Sequence, residues 1–170
     1  MKNRTYIKDL PKKIGEEVTI AGWVDVRRDH GKLIFIDLRD VTGKVQMVVL
    51  PSHKEAHVLA STVRSEWVLQ VSGKVNARPE KMVNKDESNG SVELEVMFIE
   101  VLNESLTPPI DVRGDGREIG EESRLKYRYL DLRRPRLQKN IRNRHKIIKH
   151  IRDFLDTEGF VEIETPNLTK

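Results

Sequence analysis

Gly31-Lys-Leu-Ile-Phe-Ile-Asp-Leu-Arg-Asp-Val-Thr-Gly-Lys-Val-Gln-Met-Val-Val-Leu50 contains two alternating apolar runs joined by Asp40-Val-Thr-Gly43. Alternation with a period of two marks strands that bury one face. The short junction predicts a tight hairpin turn in which Gly43 adopts positive φ. In the first run Ile34, Ile36 and Leu38 share one face, while Leu33, Phe35, Asp37 and Arg39 share the other. In the second, Val45, Met47 and Val49 point one way and Gln46 the other. If both apolar sets face one core, Phe35 and Gln46 stand together outside, a flat ring beside an amide that donates and accepts. A stacking surface next to an edge reader is what an unpaired nucleotide base requires. This stretch alone fits equally an aromatic ring that merely fills a rim pocket.

Upstream, residues 1–16 predict a short helical or turn lead-in (Ile7, Leu10, Ile14) that covers one end of a barrel. Val18, Ile20, Val24 and Val26 alternate around Gly22, which predicts one long strand bent at the glycine. Downstream, Pro51-Ser52 ends the third strand, and Ser52 with Glu55 has capping-box spacing. Ala56, Leu59, Ala60 and Val63 form a helical stripe. Trp67, Leu69 and Val71 alternate into a fourth strand through Gly73 and Val75. After a polar loop over 77–90 comes a fifth strand with Val92, Leu94, Val96 and Phe98 inward and Glu93 and Glu95 outward. Five strands with one helix between the third and fourth is the plan of an OB-fold barrel, whose second and third strands and loops bind oligonucleotides. Phe35 and Gln46 lie on those two strands, which moves the reading toward nucleic acid.

The chain has 170 residues, 37% hydrophobic and 34% charged, enough for one good core and part of a second. Cysteine is absent, which excludes disulfides and thiolate metal sites and fits a reducing compartment. No apolar run approaches the roughly 20 residues of a membrane span, and no signal peptide is evident. Net charge is +4, yet residues 124–152 hold twelve Lys or Arg and a single acid, Asp131. Such a block fits a phosphate-facing surface or simply a solvated helix. Pro108, Pro109, Gly114, Gly116 and Gly120 predict a linker. Beyond it a long helix starts at Pro135, carries the stripe Ile141, Ile148, Ile151 and Leu155, and ends at Gly159 with Phe160 as its hydrophobic cap contact. Residues 160–164 then alternate as the start of a strand. The boundaries read from sequence are 1–104 for the barrel, 105–134 for a hinge, and 135–170 for an incomplete second domain.

Gly22-Trp-Val24, Arg27-Arg-Asp-His-Gly31, Phe35-Ile-Asp-Leu-Arg-Asp40 and Val45-Gln46 resemble the anticodon-binding domain of aspartyl-tRNA synthetases. Ser123-Arg-Leu-Lys-Tyr-Arg-Tyr-Leu-Asp-Leu-Arg-Arg-Pro135 is similar to the hinge and domain entry of their bacterial form. Phe154-Leu-Asp-Thr-Glu-Gly-Phe-Val-Glu-Ile-Glu-Thr-Pro166 resembles motif 1 of class II synthetases, a dimer-interface element around Pro166. The resemblance implies an OB-fold barrel followed by the first helix and strand of an α+β catalytic domain. It implies that Phe35 stacks on the middle base of a GUC anticodon and that Gln46 hydrogen-bonds it. Glu93 would read the first base and Arg28 would contact bases or phosphate. Arg78 and Asn84 would help to read the third base, although a plain surface arginine remains open for Arg78. The loop departs from the family pattern at Met82, where many relatives carry Asn or Thr.

The family attaches aspartate to tRNA through an aspartyl-adenylate, using ATP and Mg2+, as a cytoplasmic homodimer. Its ATP-binding motifs 2 and 3 have no counterpart in this sequence, so no catalytic residue is expected here and the 170-residue chain is expected to be inactive alone. Two positions bear on whether asparagine tRNA is charged as well as aspartate tRNA: His30 matches the relaxed type and Lys81 the strict type. The reading follows His30, which adjoins the strand of Phe35. The alternative from another class is a freestanding OB-fold RNA-binding module without catalysis. His53 and His57 have metal-ligand spacing but lack a third ligand, so no metal site is expected.

Overall fold

β1 (Glu17–His30) is long enough to serve two neighbours. In the computed structural model, which describes residues 4–85, 87 and 89–165, its first half pairs with β4 (Val68–Ala77) and its second half with β2 (Leu33–Arg39), both antiparallel. β2 pairs with β3 (Lys44–Val49), and β3 lies parallel to β5 (Val92–Asn103). β5 returns antiparallel to β4, so the sheet closes in the order β1-β2-β3-β5-β4. With α1 (Lys54–Thr62) between β3 and β4, this is the OB-fold barrel expected from the sequence.

A strand that changes partner needs backbones to approach closely. A Cβ on Gly22 would lie 2.2 Å from the Arg39 carbonyl oxygen, and one on Gly73 would lie 2.1 Å from that of Glu95. Irregular register accompanies each contact. Between Val24 and Val26 one extra residue enters β1, which leaves Val26 only half-buried. On β5, Ser72 opposes Phe98 and Gly73 opposes Val96, so Met97 is the extra residue. A bulge slips the alternation by one position. Val92, Leu94 and Val96 are therefore buried as expected, but Ile99 takes the next core place and Phe98 is 53% exposed. This corrects the inward placement of Phe98.

The hairpin turn is held by a carboxylate. Gly43 does not have positive φ; instead Asp40 Oδ1 accepts from Thr42 N–H at 2.6 Å, Thr42 Oγ1 at 2.6 Å and Gly43 N–H at 3.1 Å. Local bonds from an Asp side chain replace the glycine conformation. The other oxygen of Asp40 accepts from Ile7 N–H and Arg4 Nη2, tying the lead-in to the barrel. That lead-in is a 3-10 turn, Ile7–Lys12, with Ile7 and Leu10 fully buried and Ile14 exposed.

Ala56, Ala60 and Val63 of the α1 stripe are buried and Leu59 packs partly against the core. The capping box does not form: a turn closed by His53 N–H to Leu50 O makes His53 the N-cap, without a side-chain cap bond.

The chain divides into two compact units, Met1–Thr107 and Pro108–Lys170. In the second, α2 (Glu121–Lys126), α3 (Arg128–Asp131) and α4 (Pro135–Thr157) form. Arg134 and Asp131 are completely buried and joined by a 2.8 Å ion pair. Asp131 also accepts from Arg124 and Arg128, and Arg134 donates to the carbonyls of Asp111 and Arg113. The stretch before α2 is thus pinned to the N-terminus of α4, whose first turn holds Pro135. α4 ends in a Schellman motif: Gly159 has φ +82, Gly159 N–H bonds Asp156 O, and Phe160 N–H bonds Leu155 O. Its apolar stripe is uncovered, with Ile141 45%, Ile151 51% and Leu155 39% exposed. Residues 160–164, expected to begin a strand, have no strand pairing among the described residues, since a strand needs a neighbour. Pro166 lies outside the described residues.

Candidate nucleic-acid interface

Strand register lays two rows of side chains across the outer face of the barrel, one over β1, β2, β3 and β5 and the next over β2, β3, β5 and β4. One row runs Arg28–Phe35–Val48–Glu95 and the next Asp37–Gln46–Glu93–Asn76. Each follows from the alternation that sends Ile34, Ile36, Val45, Met47 and Leu94 into the core. Phe35 and Gln46 are therefore both outward and half-buried. The ring of His30 meets that of Phe35 edge-on, with centroids 6.0 Å apart.

The polar groups are linked. Arg28 Nη2 donates to Asp37 Oδ1 at 2.9 Å and lies 3.5 Å from Gln46 Oε1. Gln46 Nε2 lies 3.5 Å from Glu93 Oε2, and so does Arg78 Nε. Burial pushes the Asp37 carboxyl above the usual carboxylate range, against the pull of Arg28 and Lys44 and with added repulsion from Glu87 and Asp25. Glu95 accepts from Asn76 Nδ2 at 3.0 Å.

The loop that follows β4 is anchored at several points. Arg78 Nη1 donates to Gly90 O, and Asn84 N–H bonds the same carbonyl. A Cβ on Gly90 would lie 1.9 Å from Asn84 O, so only glycine fits there. Lys44 Nζ pairs with Glu87 at 2.7 Å, and Asn89 Nδ2 reaches Lys44 O. Asn84 and Lys81 are exposed on this loop. The Arg78 side chain is only 10% exposed and acts as a strut between Glu93 and Gly90.

The structure thus brings Arg28, His30, Phe35, Gln46 and Glu93 into one continuous patch, with Arg78 beneath its β5 edge and Asn84 and Lys81 on the adjoining loop. Asp37, Asn76 and Glu95 belong to the same surface and were not singled out from the sequence. Parity along the strands places Asp37 and Glu95 outward, but their partners come from other strands. The patch offers a ring for stacking, an amide and two carboxylates for base edges, and an arginine for phosphate or base. Among the described residues no cluster of three or more His, Cys, Asp or Glu could hold a metal. His57 Nε2 is 3.0 Å from Lys32 O and His53 is 3.9 Å from Glu95. No helix among the described residues is long and apolar enough to cross a membrane.

Residues 18–102 match the OB-fold nucleic acid binding domain family of tRNA anticodon type, and residues 120–170 match tRNA synthetases class II (D, K and N). Among curated proteins, an aspartate--tRNA(Asp/Asn) ligase of Natranaerobius thermophilus is 51% identical over 172 residues. An aspartate--tRNA ligase of Geobacillus kaustophilus is also 51% identical over 172 residues. Each alignment covers 100% of this chain and 29% of the relative, so the chain spans under a third of the length of these proteins. Among solved structures, a putative aspartyl-tRNA synthetase from Leishmania major Friedlin aligns with TM-score 0.85 at 26% identity, over 96% of this chain and 34% of that one. An asparaginyl-tRNA synthetase from Pyrococcus horikoshii aligns with TM-score 0.81 at 27% identity, over 99% and 39%.

Proposed function

The chain belongs to the tRNA anticodon-binding OB-fold family of class II synthetases, and from that premise we propose that its barrel binds the anticodon of an aspartate tRNA for a bacterial-type aspartate--tRNA ligase. The observation that carries this is the outer face on which Arg28 and Phe35 stand in one row and Gln46 and Glu93 in the next. Phe35 stacks on the middle base, Gln46 bonds its edge, and Glu93 accepts from N–H groups of the first base. Arg28 supplies positive charge to the backbone or a base. Asn84 and Lys81, on the anchored loop, face the third base, and Arg78 holds that loop and Glu93 in place. A freestanding binding module is disfavoured by the synthetase match over residues 120–170.

In this reading residues 1–104 are the reader, 105–134 the hinge, and 135–170 the entry to the catalytic domain. The longer protein is a cytoplasmic homodimer with Pro166 at its interface. ATP and Mg2+ serve aspartate activation there; the described residues of this chain do not fit a metal site, and no step is assigned to them.

Titration of the 170-residue chain with an aspartate-tRNA anticodon stem-loop tests the reading. Base–aromatic stacking is worth about 1–3 kcal/mol, so Phe35→Ala should weaken binding roughly five- to a hundred-fold. Equal affinity for parent and variant would sink it.

A further inference from the structure

The carboxamide of Gln46 can sit in two orientations related by a half-turn, which exchange its donor and acceptor. Its neighbours favour one. With Oε1 toward Arg28 Nη2 and Nε2 toward Glu93 Oε2, each at 3.5 Å, acceptor meets cation and donor meets carboxylate. The other orientation sets an NH2 group against a guanidinium and a carbonyl against a carboxylate. Both contacts are long for hydrogen bonds, so orientation is fixed by charge while the amide stays free to bond a ligand. The cation is in turn held by Asp37, a residue only 7% exposed and 2.9 Å from Arg28.

We propose that Asp37 is a positioning residue for base specificity: by holding Arg28 beside Gln46 Oε1 it locks the carboxamide, so that Gln46 reads the donor–acceptor order of a base edge. This rests on the anticodon reading above. Exchanging uracil for cytosine reverses donor and acceptor at two adjacent edge positions. On a base fixed by stacking, an amide free to turn could follow that reversal and bond either pyrimidine. A locked amide bonds one and leaves opposed groups unpaired with the other, which is the costly case. Asp37→Asn keeps the side-chain shape and removes the charge that orders Arg28. Burial already raises the carboxyl, so a neutral side chain suits the site and the variant should fold.

The experiment titrates the 170-residue chain with two anticodon stem-loops that differ only in U or C at the middle position. The parent should prefer one of them, and Asp37→Asn should reduce that preference by about tenfold, chiefly by tightening the disfavoured stem-loop. Asp37→Glu, which restores the charge, should recover part of it. An Asp37→Asn protein that binds both stem-loops equally more weakly, with the ratio unchanged, overturns the proposal while leaving the anticodon reading intact. A parent that binds neither stem-loop overturns both. A measurement on the free parent stands independently of the variants: the Gln46 side-chain amide protons should show one environment, close to β5 protons. Averaging over two environments overturns the lock.

Discussion

Asp37 and Asp40 lie on one hairpin and titrate in opposite directions. For Asp37, burial outweighs Arg28 and Lys44 and raises the pKa. For Asp40, burial also pushes upward but is overcome by bonds from the Thr42 side chain and from the backbone N–H groups of Ile7, Thr42 and Gly43, so the pKa falls. A lowered carboxyl contributes stability above its unfolded value, near 3.9, that is lost as pH falls through the folded value. A raised one does the reverse: the folded state holds the proton more tightly, so stability falls as pH rises from about 3.9 through the folded value. Urea unfolding across the acid range should show Asp40→Ala weaker at neutral pH by about 1–3 kcal/mol, with a flatter acid limb. Asp37→Asn should be no less stable than the parent at neutral pH. A loss of similar size in both would contradict the assignment. Also at this scale, His30 is exposed against Phe35 while Lys81 is exposed on a separate 3-10 turn, Glu80–Met82. On the proposed reading, a ligase built on this barrel should charge asparagine tRNA as well as aspartate tRNA. Transfer of aspartate to asparagine tRNA at under about a hundredth of the cognate efficiency would defeat that: such a gap is about 2.7 kcal/mol, the full cost of leaving one group unpaired with the third base.

At the scale of elements, the barrel depends on two glycines rather than on strand propensity. Gly22→Ala drives a methyl into the Arg39 carbonyl, and overpacking of this kind costs about 1–3 kcal/mol or more. Gly120→Ala, where nothing lies within contact range, should change the midpoint of thermal unfolding little by comparison. Equal shifts would show that strand closure tolerates the added carbon. The strands themselves were legible because each buries one face: Ile34, Ile36, Leu38, Val45, Met47 and Val49 are all inside as the alternation demands. The bulge at Met97 is not legible in the sequence, because an extra residue is defined only against the facing strand, and it turns Phe98 outward. The turn chemistry of Asp40 is local yet hidden from the pattern: Gly43 suggests positive φ, whereas the Asp40 side chain closes the turn. The outward parity of Phe35, Gln46 and Glu93 was readable, whereas the pairing of Arg28 with Asp37 needs two strands in register.

At the scale of the molecule, the two units carry different kinds of surface. The barrel has a closed sheet and a core built from every strand. α4 shows an uncovered apolar stripe and is preceded by a segment held through Arg134. Amide exchange should therefore be slowest in β1–β5 and fast along α4, unless α4 pairs with another copy. Sedimentation measured alongside exchange separates the two cases. Strong protection of α4 in a proven monomer would contradict both.

Closure of the barrel also has a consequence for synthesis. Thr19 bonds Ser72 across 53 positions, and Gln46 meets Glu93 across 47. A ribosome adding 5–20 residues per second takes roughly 4–15 s to pass from Thr19 to Glu93. Until β4 has emerged the first half of β1 has no neighbour, and until β5 has emerged the β2–β3 hairpin lacks the strand that covers its open edge. The nascent chain thus presents an unpaired, apolar-rich edge just outside the exit tunnel, the kind of edge to which chaperones and stray strands bind. The face of Phe35, Gln46 and Glu93 comes into being only when its last strand emerges, so translation sets the tempo at which that surface first exists.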